Sequence, residues 1–361
     1  MKRTISLLLS VLLTTIFMVG CNTDSTKKAQ DSEVDSPQLT SAEGDTGNND
    51  TEKKSYRIGV VQLVEHAALD KAYKGFVDSL TQYGEENNIQ FEFDLKNAQN
   101  DQSNANTIAS KFVNDKVDLI FAIATPAAQS AANAAAETDI PVLFTAVTDP
   151  VDARLVESVE APGGKVTGTS DLTPVAKQIE LAKQLIPDLK SIGVLYASNE
   201  SNSKVQLALA QEAAEAQGLT VIPASVSNTN EVQSVVQNVL AGKVQAIYAP
   251  TDNTIANAMP TVSAIAIEYN IPVITGEEGT VVTGGLATIG INYYDLGTKT
   301  ADLALDILID GKKPSEIPIA YVDSYAYSYN SETLAALGLE GQFDAEFLEQ
   351  AQDVTQETTE K

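Results

Sequence analysis

The residues that could do chemistry in this chain are concentrated in seven short polar segments, each next to an apolar stretch. Their hydroxyl, amide and carboxylate groups can hydrogen-bond a small polar molecule. None of the seven segments contains a Lys or Arg, so a phosphate or another multiply charged anion is a poor match. The candidate ligand-binding residues are Gln62, Glu65, His66, Thr125, Gln129, Thr145, Asp149, Ser170, Asp171, Asn199, Ser201, Asn202, Thr251, Asp252, Asn253, Glu277 and Glu278.

Two features of these segments fit a zwitterionic ligand. Thr125-Pro126 is typical of a helix start, with Thr125 as N-cap, and Thr251 is expected to cap an equivalent helix. A helix N-terminus offers N–H donors and a partial positive charge, which suits a carboxylate. The acids that could pair with an ammonium group are Glu65, Asp149, Asp252, Glu277 and Glu278. For each acid taken alone, a helix cap or a solvated turn is as good an interpretation as ligand contact.

His66 is the only histidine of the chain. General-base chemistry would require a nucleophile and an orienting acid beside it, and no motif marks either. A hydrogen-bond donor in a ligand cleft and a residue at a helix start are the alternatives. Tyr293-Tyr294 could line an aromatic pocket or pack at a helix start. With one histidine and no calcium-loop pattern among the acids, we expect no metal, no cofactor and no enzyme activity.

The elements that must position these residues alternate regularly. The sequence predicts strands at 57–62, 91–95, 119–123, 141–145, 192–196, 246–251 and 271–275, and helices from 69 to a stop at Gly84, at 103–114, at 126–137 and up to Gly218. Ile58-Gly-Val-Val is matched by Ile192-Gly-Val-Leu, and Ile140-Pro-Val by Ile271-Pro-Val. We therefore expect an α/β fold of two similar lobes with mainly parallel sheets. A ligand would bind in the cleft between the lobes, beside the strand C-termini.

The N-terminal region is typical of an exported bacterial lipoprotein. Lys2 and Arg3 precede an apolar stretch that ends at Gly20-Cys21, and this stretch is shorter than the ~20 apolar residues of a membrane span. Cys21 would carry the lipid and anchor the protein on the extracytoplasmic face of the cell membrane. Since it is the only cysteine, no internal disulfide is expected.

The predicted organisation has six parts. They are a signal peptide (1–20), the lipidated Cys21 with a disordered linker (21–54), an N-terminal lobe (55–168), a C-terminal lobe (169–290), a returning helix and strand that cross between the lobes (291–340), and an acidic tail that is frayed or partly helical (341–361).

The charge of the chain excludes one class of partner. The formal net charge is −26, and removal of residues 1–20 takes away Lys2 and Arg3 but no acid. Nucleic-acid binding is not expected, because phosphate contacts require clustered Lys and Arg.

Seven motifs together resemble the ABC-transporter substrate-binding lipoproteins of the tryptophan/tyrosine-binding type. The likeness extends from about Tyr56 to Gly338. The motifs are Val61-Gln-Leu-Val-Glu-His66, Ala124-Thr-Pro-Ala-Ala-Gln129, Phe144-Thr-Ala-Val-Thr-Asp-Pro150, Gly168-Thr-Ser-Asp171, Pro250-Thr-Asp-Asn-Thr254, Gly276-Glu-Glu-Gly279 and Ile289-Gly-Ile-Asn-Tyr-Tyr-Asp-Leu-Gly297. The resemblance implies a periplasmic-binding-protein fold of type I, with two Rossmann-like lobes joined by multiple hinge crossings that close around a small ligand.

The resemblance also implies a function. The chain would be a monomeric capture subunit that takes an aromatic amino acid to a membrane permease driven by a cytoplasmic ATPase. A nucleoside, purine or sugar is the alternative ligand, and a ligand sensor for a membrane signalling protein is the alternative role. A cell-surface hydrolase is a third hypothesis, which would require turnover that depends on His66. Within the cleft, Asp252→Ala is predicted to weaken binding at least tenfold with little change in the thermal midpoint.

Overall fold

The structure is a computed structural model, and it describes residues 53–355. The predicted signal peptide, Cys21, nearly all of the linker and the last six residues lie outside the described residues. The strands are β1 Lys54–Gln62, β2 Ile89–Asn97, β3 Leu119–Ile123, β4 Val142–Val147, β5 Val166–Ser170, β6 Ser191–Ala197, β7 Thr220–Val226, β8 Ala246–Ala249, β9 Val273–Thr275, β10 Ala287–Gly290, β11 Ala326–Tyr329 and β12 Ala351–Asp353.

Eleven α-helices connect these strands within the described part of the chain. They are α1 Ala67–Asn87, α2 Gln102–Asp115, α3 Thr125–Ala135, α4 Val175–Leu185, α5 Ser201–Ala216, α6 Thr229–Val235, α7 Asn253–Glu268, α8 Glu278–Val282, α9 Tyr293–Leu308, α10 Ser331–Ala336 and α11 Ala345–Gln350. Across residues 53–355, no helix combines the length and the apolar character needed to cross a membrane.

The two sheets define two lobes. The N-terminal sheet is parallel throughout, in the order β2-β1-β3-β4-β5, and the C-terminal sheet has the order β12-β11-β10-β9-β8-β6-β7. In the C-terminal sheet the pair β10–β11 is antiparallel and the other pairs are parallel. Both sheets have helices on their faces, and their central strands are buried runs such as Leu119–Ile123. The expected α/β fold of two lobes is confirmed.

The chain crosses between the lobes three times. The first crossing follows β5 at Asp171, and the second lies between β10 and α9, which packs in the core of the N-terminal lobe. The third crossing follows Ala320, whose backbone N–H and C=O bond Gly168 and Ser170. α9 packs so closely against α1 that a Cβ at Gly297 would stand 2.0 Å from the carbonyl oxygen of Ala72. Only glycine fits at this position.

One expectation about an element end is wrong, and another is met only in part. Gly84 does not end the first helix, which continues to Asn87 and closes on Asn88 in the left-handed conformation (φ 54°). The residues after Gly341, predicted to be frayed or partly helical, contain the helix α11 and, beyond that prediction, the strand β12, which pairs with β11. Phe343, Phe347 and Val354 are buried, which explains why this acidic stretch is ordered.

Candidate functional site

A small cavity lies between the lobes, at the C-terminal ends of the central strands. Its volume is about 20 Å³, close to the space of one water molecule. The lining residues are His66, Leu69, Ala146, Thr148, Asp171, Asn202, Thr251, Asp252, Asn253, Ala256, Glu277 and Tyr293. Three of them are carboxylic acids and none is a Lys or Arg, so the cavity wall has the charge that favours a cationic group.

Polar contacts cross the cleft around this cavity. His66 Nε2 lies 3.4 Å from Asn253 Oδ1, and Asn100 Nδ2 donates to Thr254 Oγ1 at 3.1 Å. Each pair joins the N-terminal lobe to the start of α7 in the C-terminal lobe. The two lobes are therefore closed against one another.

Asp171 occupies the first crossing and lines the cavity, and both of its side-chain donors belong to the N-terminal lobe. Its Oδ1 accepts from Thr148 Oγ1 at 3.2 Å, and its Oδ2 accepts from Tyr293 OH at 2.8 Å. Burial raises the pKa of Asp171, and the hydrogen bonds from Tyr293 and Thr148 oppose that rise. Each oxygen has one side-chain donor and capacity for another, so Asp171 can accept hydrogen bonds from a ligand.

Asp252 has a different environment, because its carboxylate is used within its own lobe. Oδ1 accepts from Ile255 N at 2.8 Å, and Oδ2 accepts from Ala197 N at 2.6 Å and from Ser203 Oγ at 2.7 Å. Asp252 is thus the N-cap of α7, the role predicted for Thr251. Burial, followed by the nearby Glu200 carboxylate, raises the pKa of Asp252 to about 7.

Glu277 is likewise a helix cap whose side chain lines the cavity. Its oxygens accept from Gly279 N at 2.5 Å and from Thr280 N at 2.8 Å, at the start of α8. Burial raises the pKa of Glu277 to about 7, against the effect of these hydrogen bonds. Asp252 and Glu277 therefore serve the local fold, whichever further role they have.

The sequence reasoning missed two residues that hold the site together. The buried Glu200 carboxylate accepts from Asn253 Nδ2 at 2.6 Å and from Thr254 N at 3.0 Å. Gln206 Nε2 donates to Thr251 O at 2.9 Å. Glu200 belongs to the polar segment that follows β6, so its position in the sequence could have identified it as a candidate site residue. Gln206 is a mid-helix residue, and the sequence has no feature that singles it out.

Some buried polar atoms have no hydrogen-bond partner, and one of them belongs to Asn202, which lines the cavity. In the described part of the chain they are Gln62 Oε1, Thr125 Oγ1, Thr173 Oγ1, Ser201 Oγ and Asn202 Oδ1. Gln62 ends β1, Thr125 follows β3, Ser201 and Asn202 follow β6, and Thr173 lies in the first crossing. A buried polar atom is almost always paired in a native protein, so this concentration indicates groups placed for a ligand. Thr125 is the first residue of α3 rather than its N-cap, which leaves its hydroxyl free of the capping role predicted for it.

The backbone is strained at two adjacent strand ends of the N-terminal lobe. Ala124, after β3, has φ 85°, and Ala146, in β4, has φ 55°. The register between β4 and β5 shifts at the same place. Positive φ at alanine costs energy, and such positions concentrate at functional sites. Ala146 lines the cavity, so the strain coincides with the candidate site.

His66 caps α1 with its backbone and lines the cavity with its side chain. Burial lowers the pKa of His66 to about 4, although the hydrogen bond to Asn253 opposes this shift. The neutral ring therefore prevails at pH 7. Tyr293, which the sequence left open between packing and pocket lining, does both, since it is buried and lines the cavity.

Several candidate residues lie outside the cavity. Gln129 donates to Ala153 O at 3.1 Å, and Asp149 forms a turn by accepting from Val151 N and Asp152 N. Asn199 and Glu65 are exposed, although Glu65 lines a neighbouring groove with His66.

Four further candidates are engaged in other contacts. Thr145 Oγ1 is 2.9 Å from Thr169 Oγ1, inside the N-terminal lobe, and Ser170 Oγ donates to Thr148 O. Glu278 forms an ion pair with Lys71. Gln62 is buried at the end of β1, where its Nε2 donates to Asp70 Oδ1 at 2.7 Å.

Comparison with known proteins places the chain among proteins that bind transported substrates. Residues 57–355 match the protein family described as ABC transporter substrate binding protein. A tyrosine-binding protein from Clostridioides difficile (strain R20291) is 42% identical over 341 residues, which cover 94% of this chain and 93% of the relative.

Two solved structures allow the lobes to be compared. An ABC domain from Streptococcus pneumonia in complex with L-Trp is 38% identical, with a TM-score of 0.77 over 83% of this chain and 99% of that one. The ligand-free, open structure of a substrate-binding protein with adhesive properties from Clostridium difficile is 47% identical, with a TM-score of 0.61 over 79% and 95%. The L-Trp complex is lower in sequence identity than the ligand-free, open structure but has the higher TM-score. The lobes of this chain are therefore arranged more like those of the complex, which agrees with the polar contacts across the cleft.

Proposed function

Because the chain belongs to the family of ABC transporter substrate-binding proteins, with a type I periplasmic-binding-protein fold, we propose that it captures an aromatic amino acid between its lobes. Tryptophan and tyrosine are the first candidates, followed by phenylalanine. The ligands named for the similar proteins support this choice. The single observation that carries the proposal is the cavity between the lobes, with its buried acids and without a Lys or Arg.

Asp171 is the proposed partner of the ligand's ammonium group. Unlike Asp252 and Glu277, it does not cap a helix, and its present donors are two side-chain hydroxyls. An ammonium group beside it would offset the burial that raises its pKa, so binding and ionisation of Asp171 favour each other. Because Asp171 lies in the first crossing between the lobes, this contact would also influence their closure.

The ligand's carboxylate is proposed to lie near the first turns of α3 and α5. Thr125 Oγ1 and Ser201 Oγ are buried hydroxyls without a partner, and each belongs to the first residue of its helix. Hydroxyl and backbone N–H donors together suit a carboxylate. The aromatic ring would then contact Leu69, Tyr293 and the neutral His66, which line the cavity between the lobes. At about 20 Å³ this cavity would have to widen by separation of the lobes to admit the ring.

We also propose how the protein is placed and used. Residues 1–20 act as an export signal, and Cys21 is lipidated, so the two lobes are held near the outer face of a bacterial membrane. A monomer with bound ligand docks on a permease driven by a cytoplasmic ATPase. The protein acts by binding alone, without catalysis, cofactor or metal. Globomycin, which inhibits lipoprotein signal peptidase, should cause the uncleaved precursor to accumulate in membranes, and a Cys21→Ser variant should lose lipid labelling.

Isothermal titration calorimetry with the amino acids, a nucleoside panel and simple sugars tests the ligand class. We expect saturable heat with tryptophan or tyrosine and none with the nucleosides and sugars. Binding of a nucleoside or sugar in place of every aromatic amino acid would overturn the proposal. If the protein converts any of these compounds, and His66→Ala abolishes that turnover, the result would favour a hydrolase instead.

A further inference from the structure

An ion pair joins the two lobes at the rim of the cleft, away from the ligand cavity. Lys71 Nζ, in the second turn of α1, lies 2.6 Å from Oε1 of Glu278, the first residue of α8. Ser328 Oγ, on β11, donates to the other oxygen of Glu278 at 2.9 Å. We call these three residues the rim latch. None of them lines the cavity between the lobes.

The rim latch differs from three other ion pairs in residues 53–355, which lie within single elements. Lys74–Asp78, Lys96–Asp94 and Lys111–Asp115 each join residues of one helix or strand. The side chains of Lys71 and Glu278 are 38% and 22% exposed, whereas those of Lys111 and Asp115 are 53% and 43% exposed. Partial burial leaves the Lys71–Glu278 attraction less screened by water and salt.

The backbone beside the rim latch is in tight contact across the lobes. A Cβ added at Gly279 would stand 3.0 Å from Ala67 Cβ and 3.2 Å from Ala68 N. The first turns of α1 and α8 therefore touch. When the lobes separate, this contact and the Lys71–Glu278 pair must be lost together, because their partners belong to different lobes.

We propose that the rim latch sets ligand affinity by holding the closed lobes together, without touching the ligand. This inference rests on the proposed function, since it concerns the closure that traps the amino acid. An interaction that exists only in the closed form shifts the equilibrium toward that form and slows ligand release. A partly exposed ion pair of this kind corresponds to about a two- to fivefold change in an equilibrium constant.

The test is a double-mutant cycle on the dissociation rate of L-tyrosine or L-tryptophan, measured by stopped-flow fluorescence. Glu278→Gln and Lys71→Met should each raise the rate two- to fivefold. In the double variant the increase should be smaller than the product of the two single increases, because the Lys71–Glu278 pair can be lost only once. Asp115→Asn removes the same charge within one lobe and should leave the rate unchanged. Effects of Glu278→Gln and Lys71→Met that simply multiply, or equal effects of Glu278→Gln and Asp115→Asn, would overturn the proposal.

A second measurement does not depend on the identity of the ligand. Asp152 and Lys204 line one groove from opposite lobes, so spin labels at Asp152→Cys and Lys204→Cys in a Cys21→Ser background report lobe separation. Without ligand, Glu278→Gln should shift the distance distribution toward longer values, and Asp115→Asn should not. If neither amino acid binds the unaltered protein, the proposed function fails. The distance between the labels then tests by itself whether the rim latch holds the lobes together. An unchanged distribution in Glu278→Gln would then contradict it.

Discussion

Tyr293 and Asp171 are 122 residues apart in the chain, yet the Tyr293 hydroxyl donates to Asp171 Oδ2 at 2.8 Å. Asp171 stands in the first crossing between the lobes, and Tyr293 begins the helix that follows the second crossing. The hydrogen bond thus joins two of the three crossings at the wall of the ligand cavity. If Asp171 binds the ligand as proposed, a change in its ionisation should act both on the ligand contact and on this link between the crossings.

Removal of the Tyr293 hydroxyl tests this link. In Tyr293→Phe we expect the ring to keep its packing while Asp171 loses a donor that stabilises its charged form. The pKa of Asp171 should rise further, so affinity for the amino acid should fall severalfold and the loss should grow as pH decreases. Calorimetric titrations at pH 5 and pH 8 measure both effects. An equal loss at the two pH values would mean that the hydroxyl does not act through Asp171.

Asp252→Ala and Thr125→Val should separate support of the fold from contact with the ligand. The sequence alone predicted lost affinity and little change in thermal midpoint for Asp252→Ala. The three donors that Asp252 accepts within its own lobe predict instead a lower midpoint, with about 1–2 kcal/mol lost from the α7 cap. Thr125→Val removes a buried hydroxyl that has no partner, so it should lower affinity without lowering the midpoint. Differential scanning fluorimetry with calorimetry distinguishes the two outcomes, and a reversed pattern would exchange the two roles.

Glu277 should make stability depend on pH. Its pKa is about 7 in the folded chain and near 4.5 when unfolded, so between these values the folded chain binds the extra proton. The free energy of unfolding that Glu277 contributes therefore falls as pH rises from about 4.5 to 7. His66, with its pKa lowered to about 4, acts in the opposite direction below pH 6.5.

A comparison between variants isolates the contribution of Glu277. Glu277→Gln keeps a hydrogen-bond acceptor for the α8 cap but cannot titrate. As pH rises from 5 to 8, the thermal midpoint of Glu277→Gln should increase relative to that of the unaltered protein, which loses the contribution of Glu277. Asp252 and His66 titrate in both proteins, so their effects cancel in this comparison. A constant difference between the two midpoints would show that Glu277 does not titrate in this range.

The sequence predicted the two-lobe α/β fold because its strands and helices follow local rules of apolar periodicity and turn residues. It also placed Asp171, Asp252 and Glu277 in one cleft, since each follows a strand and the strand C-termini of both lobes were expected to face the cleft. It did not separate their roles. Whether an acid caps a helix, as Asp252 does, depends on donors such as Ser203 that come from a different segment.

Contacts between distant segments were beyond sequence reasoning for the same physical reason. Glu278 looked like a ligand residue because it follows β9, but its partner Lys71 is 207 positions away on the other lobe. Tyr293 could not be assigned to packing or to the cavity without the position of Asp171. The local pattern therefore determines the elements, while side-chain roles depend on how the lobes meet.

The most direct test of the account is the affinity of the protein for L-tryptophan against indole-3-propionate, which lacks the ammonium group, in the unaltered chain and in Asp171→Asn. Calorimetry should show at least tenfold weaker binding of indole-3-propionate to the unaltered protein, equivalent to about 1.4 kcal/mol. In Asp171→Asn the difference in affinity between the two compounds should largely disappear, since the side chain that pairs with the ammonium group has lost its charge. Equal binding of the two compounds to the unaltered protein, or an undiminished preference for tryptophan in Asp171→Asn, would contradict the central claim.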